Sequence, residues 1–345
     1  MEALLRERER ESKGGPGHNF KDIISLENLL VSYQEFLRGK RKRKDVAKFS
    51  LFLIDNILNL HRDLKNKSYI HGSYFAFKIS DPKPRDIHKA KVRDRLVHHA
   101  LHRILYPYFD KQFIFDSYSC RIKKGTLRAI NRFRYFIRKV SQNNTKTVWI
   151  LKCDIRKFFA NIDHLILKNI LERYIEDNGT RWLLAQVINS FNTKEKVGIG
   201  LPLGNLTSQL LINIYMNEFD QFIKRKLKIK YYIRYADDFI ILSRDIQSLQ
   251  QLLVPIAGFL KEKLNLELHP NKVSIKTINS GVDYLGWVSF PSHRILRAST
   301  KRRVFRGLTQ NHTRETYTSY LGLLKHGSMY KVILEVDKLV SKWST

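Results

Sequence analysis

The sequence predicts an α+β fold built around an antiparallel sheet, and three observations predict it. Two β-prone segments, Tyr231–Tyr235 and Phe239–Leu242, flank Ala236-Asp237-Asp238 and read as a hairpin with acids at its turn. The apolar run Val148–Cys153 reads as a buried strand that ends at another acid, Asp154. Helical and strand segments alternate around the acidic hairpin, the pattern of an α+β architecture with an antiparallel sheet.

Along the chain, residues 1–18 are charged, end near Gly14-Gly15-Pro16-Gly17, and read as a mobile tail. From Ile23 to Leu37, apolar residues recur at helical spacing (Ile23, Leu26, Leu29, Leu30, Tyr33, Phe36). The basic run Gly39–Lys44 follows, a phosphate contact or a solvated face. A second helix is expected over Val46–Lys65, with Phe49, Leu51, Leu53, Ile54, Ile57 and Leu60 inward. Tyr74–Ile79 alternates like a strand, Asp81–Arg85 is a Pro-rich turn carrying Lys83 and Arg85, and Lys91–Tyr106 reads as a helix. Helical patterns resume over His164–Tyr174 and Trp182–Asn189, and a Gly- and Pro-bearing loop, Val197–Asn205, leads into a helix from Leu206 to about Lys226. Ser248–Leu264 reads as an amphipathic helix, Val273–Ile278 and Val282–Phe290 as strands, and the basic stretch from Ser299 onward as mostly helical. No internal repeat is evident.

Composition narrows the partner. Hydrophobic residues make up 43% of the 345, enough to fold a core, and 63 Lys and Arg stand against 32 acids for a net charge of +31. So much positive charge repels itself in a compact fold, and an extended polyanion relieves it. Nucleic acid is the leading candidate; solubility or a membrane surface is the alternative. The two cysteines, Cys120 and Cys153, match no zinc or redox spacing and are expected to be small buried residues in a reducing compartment. With no 18-residue apolar run and a charged N-terminus, the expectation is a soluble, cytoplasmic protein with no membrane partner.

In a chain this short of carboxylates, Asp237 and Asp238 lie together at a tight turn between apolar strands. Adjacent like charges cost energy unless neutralised, and a divalent metal does so. Turns also favour aspartate for its own hydrogen bonding, so the dipeptide alone decides nothing. Asp154 is the discriminating residue: if its strand neighbours the hairpin, three carboxylates converge on one sheet edge. That set suits two Mg²⁺ ions, which prefer oxygen ligands, activate a 3′-hydroxyl and stabilise a leaving pyrophosphate.

The motifs run in an order that resembles the reverse-transcriptase family. Tyr235-Ala-Asp-Asp238 looks like its catalytic box, and Asp154-Ile-Arg-Lys-Phe-Phe159 like its first metal-binding motif. Gly200-Leu-Pro-Leu-Gly204 with Ser208-Gln209 looks like its nucleotide- and template-positioning motif, His269-Pro-Asn-Lys272 like the turn carrying its pyrophosphate-protonating lysine, and Tyr284-Leu-Gly-Trp287 like its primer-grip hairpin. The resemblance implies a right-hand polymerase of fingers, palm with antiparallel sheet, and short helical thumb. Its expected divisions are the tail 1–18, N-terminal helices and fingers 19–148, palm with part of the fingers 149–290, and thumb 291–345. It implies that Asp154, Ile155, Asp237 and Asp238 hold two Mg²⁺ ions (Mn²⁺ as substitute) and that Lys272 acts as proton donor. It further implies that Lys83, Arg85, Ile155, Phe159, Leu203, Gly204 and Gln209 bind the nucleotide, with Phe159 the gate against a ribose 2′-hydroxyl. Of Phe158 and Phe159, one is expected in the core and the other in the pocket. Arg93 and Arg95 are expected either on template phosphate or simply solvated.

Within the family the chain looks most like the reverse transcriptases of diversity-generating retroelements, related to group II intron and retron enzymes. Arg93-Asp-Arg-Leu-Val-His-His-Ala100, Asp116-Ser-Tyr-Ser-Cys-Arg121 and Gly204-Asn-Leu-Thr-Ser-Gln209 carry that likeness. So does Leu203, aliphatic where many relatives have a glutamine that hydrogen-bonds near the incoming base. The branch implies error-prone copying of template RNA into cDNA from a DNA or RNA primer and dNTPs, alongside a small basic accessory protein. A defence-associated or group II intron-like enzyme is the alternative. The 45 or so residues beyond residue 300 are expected to leave no room for a maturation domain.

Overall fold

The computed structural model describes residues 19–80, 84–193 and 196–344. The chain divides into two compact units. Among the described residues, one contains 19–115, Ile155–Lys228 and Ala257–Leu268; the other contains Asp116–Asp154, Ile229–Ile256 and 269–344.

The first unit is mainly helical. Its helices start where the sequence supplies caps: Asn19 and Asp22 form a capping box, and Ser25, Asp163 and Asp177 accept from backbone N–H groups of the helices they precede. The Asp177 carboxylate also accepts from Phe20 N at 3.2 Å, tying the first helix to the Asn178–Asn189 helix. Leu206–Gln221 is buried nearly all round, as a central core helix must be. The expected helix over 46–65 is two helices, Lys44–Leu51 and Leu53–Lys65, broken at Phe52. Leu51 and Ile54, expected inward, are 78% and 62% exposed because the break turns them out to solvent. A strand hidden from sequence patterning pairs with the expected one: β1 (Phe75–Ile79) and β2 (Arg85–Lys89) are antiparallel, Ile79 opposite Arg85.

The second unit holds the two larger sheets. β3 (Trp149–Asp154), β4 (Tyr232–Tyr235), β5 (Asp238–Ser243) and β6 (Ser274–Thr277) form an antiparallel sheet in the order β4-β5-β3-β6. Ile150, Ile233, Ile240 and Leu242 pack with Phe133, Phe136 and Ile137 of the Thr126–Val140 helix in one core. β7 (Val282–Tyr284), β8 (Trp287–Ser289) and β9 (Arg294–Leu296) make a second antiparallel sheet. The expected single strand over 282–290 folds back at Leu285-Gly286, both at positive φ. Trp287 is 3% exposed and packs with Leu296, Val304, Leu308, Leu324 and Val336. This is a core role that joins the sheet to the helices Ala298–Gln310, Arg314–Leu324 and Tyr330–Val340. Cys153 is buried as expected; Cys120 is exposed, held outward at a left-handed turn with φ +54°. Among the described residues no helix is long and apolar enough to cross a membrane.

Candidate active site

Pairing of β3 with β5 sets Asp154 directly opposite Asp238, and pairing of β4 with β5 sets Tyr235 opposite the same residue. Only Ala236 and Asp237 remain as the turn, and Ala236 takes φ +56°, a position that favours glycine. The three acids therefore meet at one end of the sheet for a reason of register: the two-residue turn fixes how β4 and β5 pair, and the pairing of β3 with β5 brings Asp154 level with Asp238.

The electrostatics follow from that crowding. Burial, then the negative charges of Asp154 and Asp238, push the Asp237 carboxyl up to about 6 despite Lys272. Burial also raises Asp238, with Asp154 adding to the shift and Lys152, Lys272 and Arg297 opposing it. The Asp238 Oδ1 atom is buried without a hydrogen-bond partner. Lys272 Nζ donates to Asp154 Oδ1 at 2.8 Å. Its turn is built onto the strand end, since His269 N donates to the Asp154 carbonyl at 2.7 Å and Lys272 N to the His269 carbonyl at 3.0 Å. Among the described residues no group of three His, Cys, Asp or Glu side chains is arranged to hold a metal as it stands. The donor chemistry nonetheless fits a hard divalent cation. The donors are carboxylate oxygens, one of them orphaned, and burial together with their neighbours' negative charge raises two of the acids, a penalty that a bound cation offsets.

The first unit holds a cavity of about 910 Å³ whose lining includes Phe159 and Leu203. Lys78, Arg156, Lys157, Lys196 and Lys261 also line it, against Asp86 and Glu267, so the cavity is basic. Phe158 is 3% exposed and belongs to the core, whereas Phe159 reaches the cavity wall. The glycine loop is anchored on both sides. Gly200 N donates to Ile162 O at 2.8 Å, Leu201 N to Phe159 O at 2.7 Å, and His88 N of β2 to Leu203 O at 3.1 Å. Gly200 has φ +106°, and an added Cβ would meet Thr193 Oγ1 at 2.2 Å, so glycine is required there. Gly204 is likewise at φ +100°, exposed beside Ile87. Gln209 is half-buried on the Leu206–Gln221 helix. Ile155 is buried and bridged to Leu268. Arg85 is exposed at the start of β2, and Lys83 lies outside the described residues.

Arg93 and Arg95 have local partners: Arg93 pairs with Asp63 at 2.6 Å, and Arg95 pairs with Asp45 and lies over the Phe36 ring. Sequence reasoning passed over Arg234, although it directly precedes the Tyr235 motif. The signal against a plain solvated role was its place inside a strand flanked by apolar residues.

The sequence model of the family described as "Reverse transcriptase (RNA-dependent DNA polymerase)" matches residues 79–289, and the chain belongs to that family. It is 26% identical to Protein YkfC of Escherichia coli, over 71% of this chain and 72% of that one. It is 24% identical to the group II intron-encoded protein LtrA of Lactococcus lactis, over 66% of this chain and 38% of LtrA. It is 23% identical to a COX1/OXI3 intron 2 protein of Saccharomyces cerevisiae, over 77% of this chain. The chain spans 38% of the length of that yeast protein.

Proposed function

We propose that the protein is an RNA-directed DNA polymerase that copies template RNA from a DNA or RNA primer, with Asp154, Asp237 and Asp238 as its metal-binding acids. The observation that carries the proposal is the register that sets Asp154 opposite Asp238 beside the Asp237 turn, in a member of this family. In this reading the Ile155 main chain completes the ligand set. Two Mg²⁺ ions, or Mn²⁺ in their place, supply nucleophile activation and charge stabilisation at the reacting phosphate. Lys272, already on Asp154, protonates the leaving pyrophosphate. Phe159 excludes the ribose 2′-hydroxyl, and Leu203, Gly204 and Gln209 shape the space for the base. Lys83 and Arg85 hold the triphosphate. The divisions are those of a right hand: N-terminal helices and fingers over 19–148 after the tail 1–18, palm with part of the fingers over 149–290, thumb over 291–345.

The branch we favour is that of diversity-generating retroelements, working with a structured template RNA and a small basic accessory protein. Leu203 supports it: an aliphatic side chain offers shape but no hydrogen bond to the incoming pair, so a wrong base is rejected less strongly. A group II intron-like enzyme is the second reading, favoured by the likeness to LtrA. The test is extension of a primed RNA with Mg²⁺, sequencing the products at each template base. Product that depends on Asp154 and Asp237, with errors concentrated at template adenine, is expected. No product, or product unaffected by loss of either acid, contradicts the polymerase reading. Accurate copying at every base contradicts the branch alone.

A further inference from the structure

Arg234 is the largest fully buried side chain among the described residues, with 0% exposure. Taking a guanidinium out of water is costly, so its partners must repay the desolvation. Its backbone is held by a neighbouring segment: Arg234 N donates to Asp116 O at 3.0 Å, and Tyr118 N donates to Arg234 O at 3.0 Å, forming a parallel bridge at Ser117. Its side chain then reaches two places at once. Nη2 donates to Ser117 Oγ at 3.1 Å, and Nη1 donates to the carbonyl of Ala236 at 3.1 Å.

Ala236 is the left-handed residue of the acidic turn, at φ +56° with a Cβ that disfavours it. Its carbonyl lies in the same rigid peptide plane as the N–H of Asp237. Holding that oxygen therefore fixes the orientation of the peptide from which Asp237, and then Asp238, project. A costly buried cation and a strained turn residue thus stand two positions apart, joined by one hydrogen bond. The planar guanidinium fork sets the angle between the Ser117 and Ala236 contacts in a way lysine cannot.

We propose that Arg234 is a positioning residue that, anchored by Ser117, holds the Ala236 carbonyl so that Asp237 and Asp238 are presented to the metal ions. The inference rests on the metal-dependent reading above. Its role is indirect, acting through the Ala236 carbonyl.

The test compares Ser117→Ala, Arg234→Lys and Asp237→Asn with the parent. Three quantities are measured: melting temperature, Mn²⁺ binding by electron paramagnetic resonance with primed RNA present, and the kcat and KM for dNTP. Ser117→Ala removes one small buried hydroxyl and leaves the arginine in place. It should melt near the parent, yet need about 3- to 10-fold more Mn²⁺ for half-saturation, with kcat lowered and KM little changed, as expected when a reacting group is displaced slightly. Arg234→Lys should shift the Mn²⁺ midpoint by about 10-fold or more and lower kcat by about 10- to 100-fold, again with KM held within about threefold. Raised Mn²⁺ should restore part of that rate. Mn²⁺ midpoints equal to the parent in Ser117→Ala and in folded Arg234→Lys would overturn the proposal, as would activity that merely tracks the folded fraction. Should Arg234→Lys fail to fold, Ser117→Ala decides alone. Asp237→Asn separates the two levels: if it binds Mn²⁺ and extends primer like the parent, the metal-site reading falls. If it is inactive while both positioning variants are normal, only the role of Arg234 falls.

Discussion

At the end of β3 and β5 three aspartates crowd together in a protein with 63 cations and 32 acids. Around the cavity of the helical unit, five cations face two acids. The carboxylate cluster is half-buried, carries an orphaned oxygen and turns on a left-handed alanine. The cavity is walled by a glycine loop whose positive-φ residues are glycines and whose backbone groups are hydrogen-bonded. Both regions crowd like charge and hold a non-glycine residue at positive φ, Ala236 at the turn and Lys157 at φ +45° on the cavity wall, but the acids are half-buried whereas the five cations are exposed. Desolvated charge gathers where chemistry is proposed, while a region that attracts a nucleotide keeps its charges in solvent.

Changes at the carboxylate cluster should abolish chemistry and spare the fold. Asp154→Ala or Asp237→Ala should lower the primer-extension rate by about 10³-fold or more, the several kcal/mol a metal contributes, with circular dichroism unchanged. Changes at the cavity loop should do the reverse. Gly200→Ala places a methyl 2.2 Å from Thr193 Oγ1 at φ +106°. It should cost about 2–3 kcal/mol of stability, seen as a lower urea midpoint with an unchanged m-value.

The contrast sharpens through pH. The Asp237 carboxyl sits at about 6, above its ordinary 3.8. The native state therefore holds more protons than the unfolded chain between those values, and stability should fall as pH rises through that window. Above it the ionised Asp237 costs up to about 3 kcal/mol, shared with its acidic neighbours. Without divalent metal, Asp237→Asn should melt higher than the parent at pH 7, and the difference should vanish below about pH 4. Mg²⁺ should raise the parent's melting temperature at pH 7 and leave the variant's unchanged. The smallest effect belongs to Leu203→Gln, which should lower misincorporation by roughly tenfold, about one hydrogen bond's worth of discrimination. An unchanged error rate by sequencing would remove Leu203 from the account of fidelity.

The acidic hairpin was legible because short β-prone runs, Tyr231–Tyr235 and Phe239–Leu242, stand on both sides of Asp237-Asp238, so propensity and charge pointed to one place. β2 was not, because Arg85-Asp-Ile-His-Lys89 forms an exposed two-stranded ribbon with no buried face to impose alternation. The break at Phe52 escaped because helical spacing continues through it, and only tertiary packing decides which turn faces the core. Phe158 and Phe159 could not be told apart until the short 3₁₀ turn over Phe158–Asn161 sent one inward and one to the cavity. For Arg234 the sequence carried only its setting in an apolar strand, since the Asp116–Tyr118 segment that seals it lies far away in the chain.

Single-nucleotide extension of a primed RNA by the parent and by Asp237→Asn, each with saturating Mg²⁺ at pH 7, bears most directly on the acidic cluster. The parent should add one deoxynucleotide, and the variant, still folded, should add none within the same time. Comparable extension by the two would show that the chemistry does not depend on this turn.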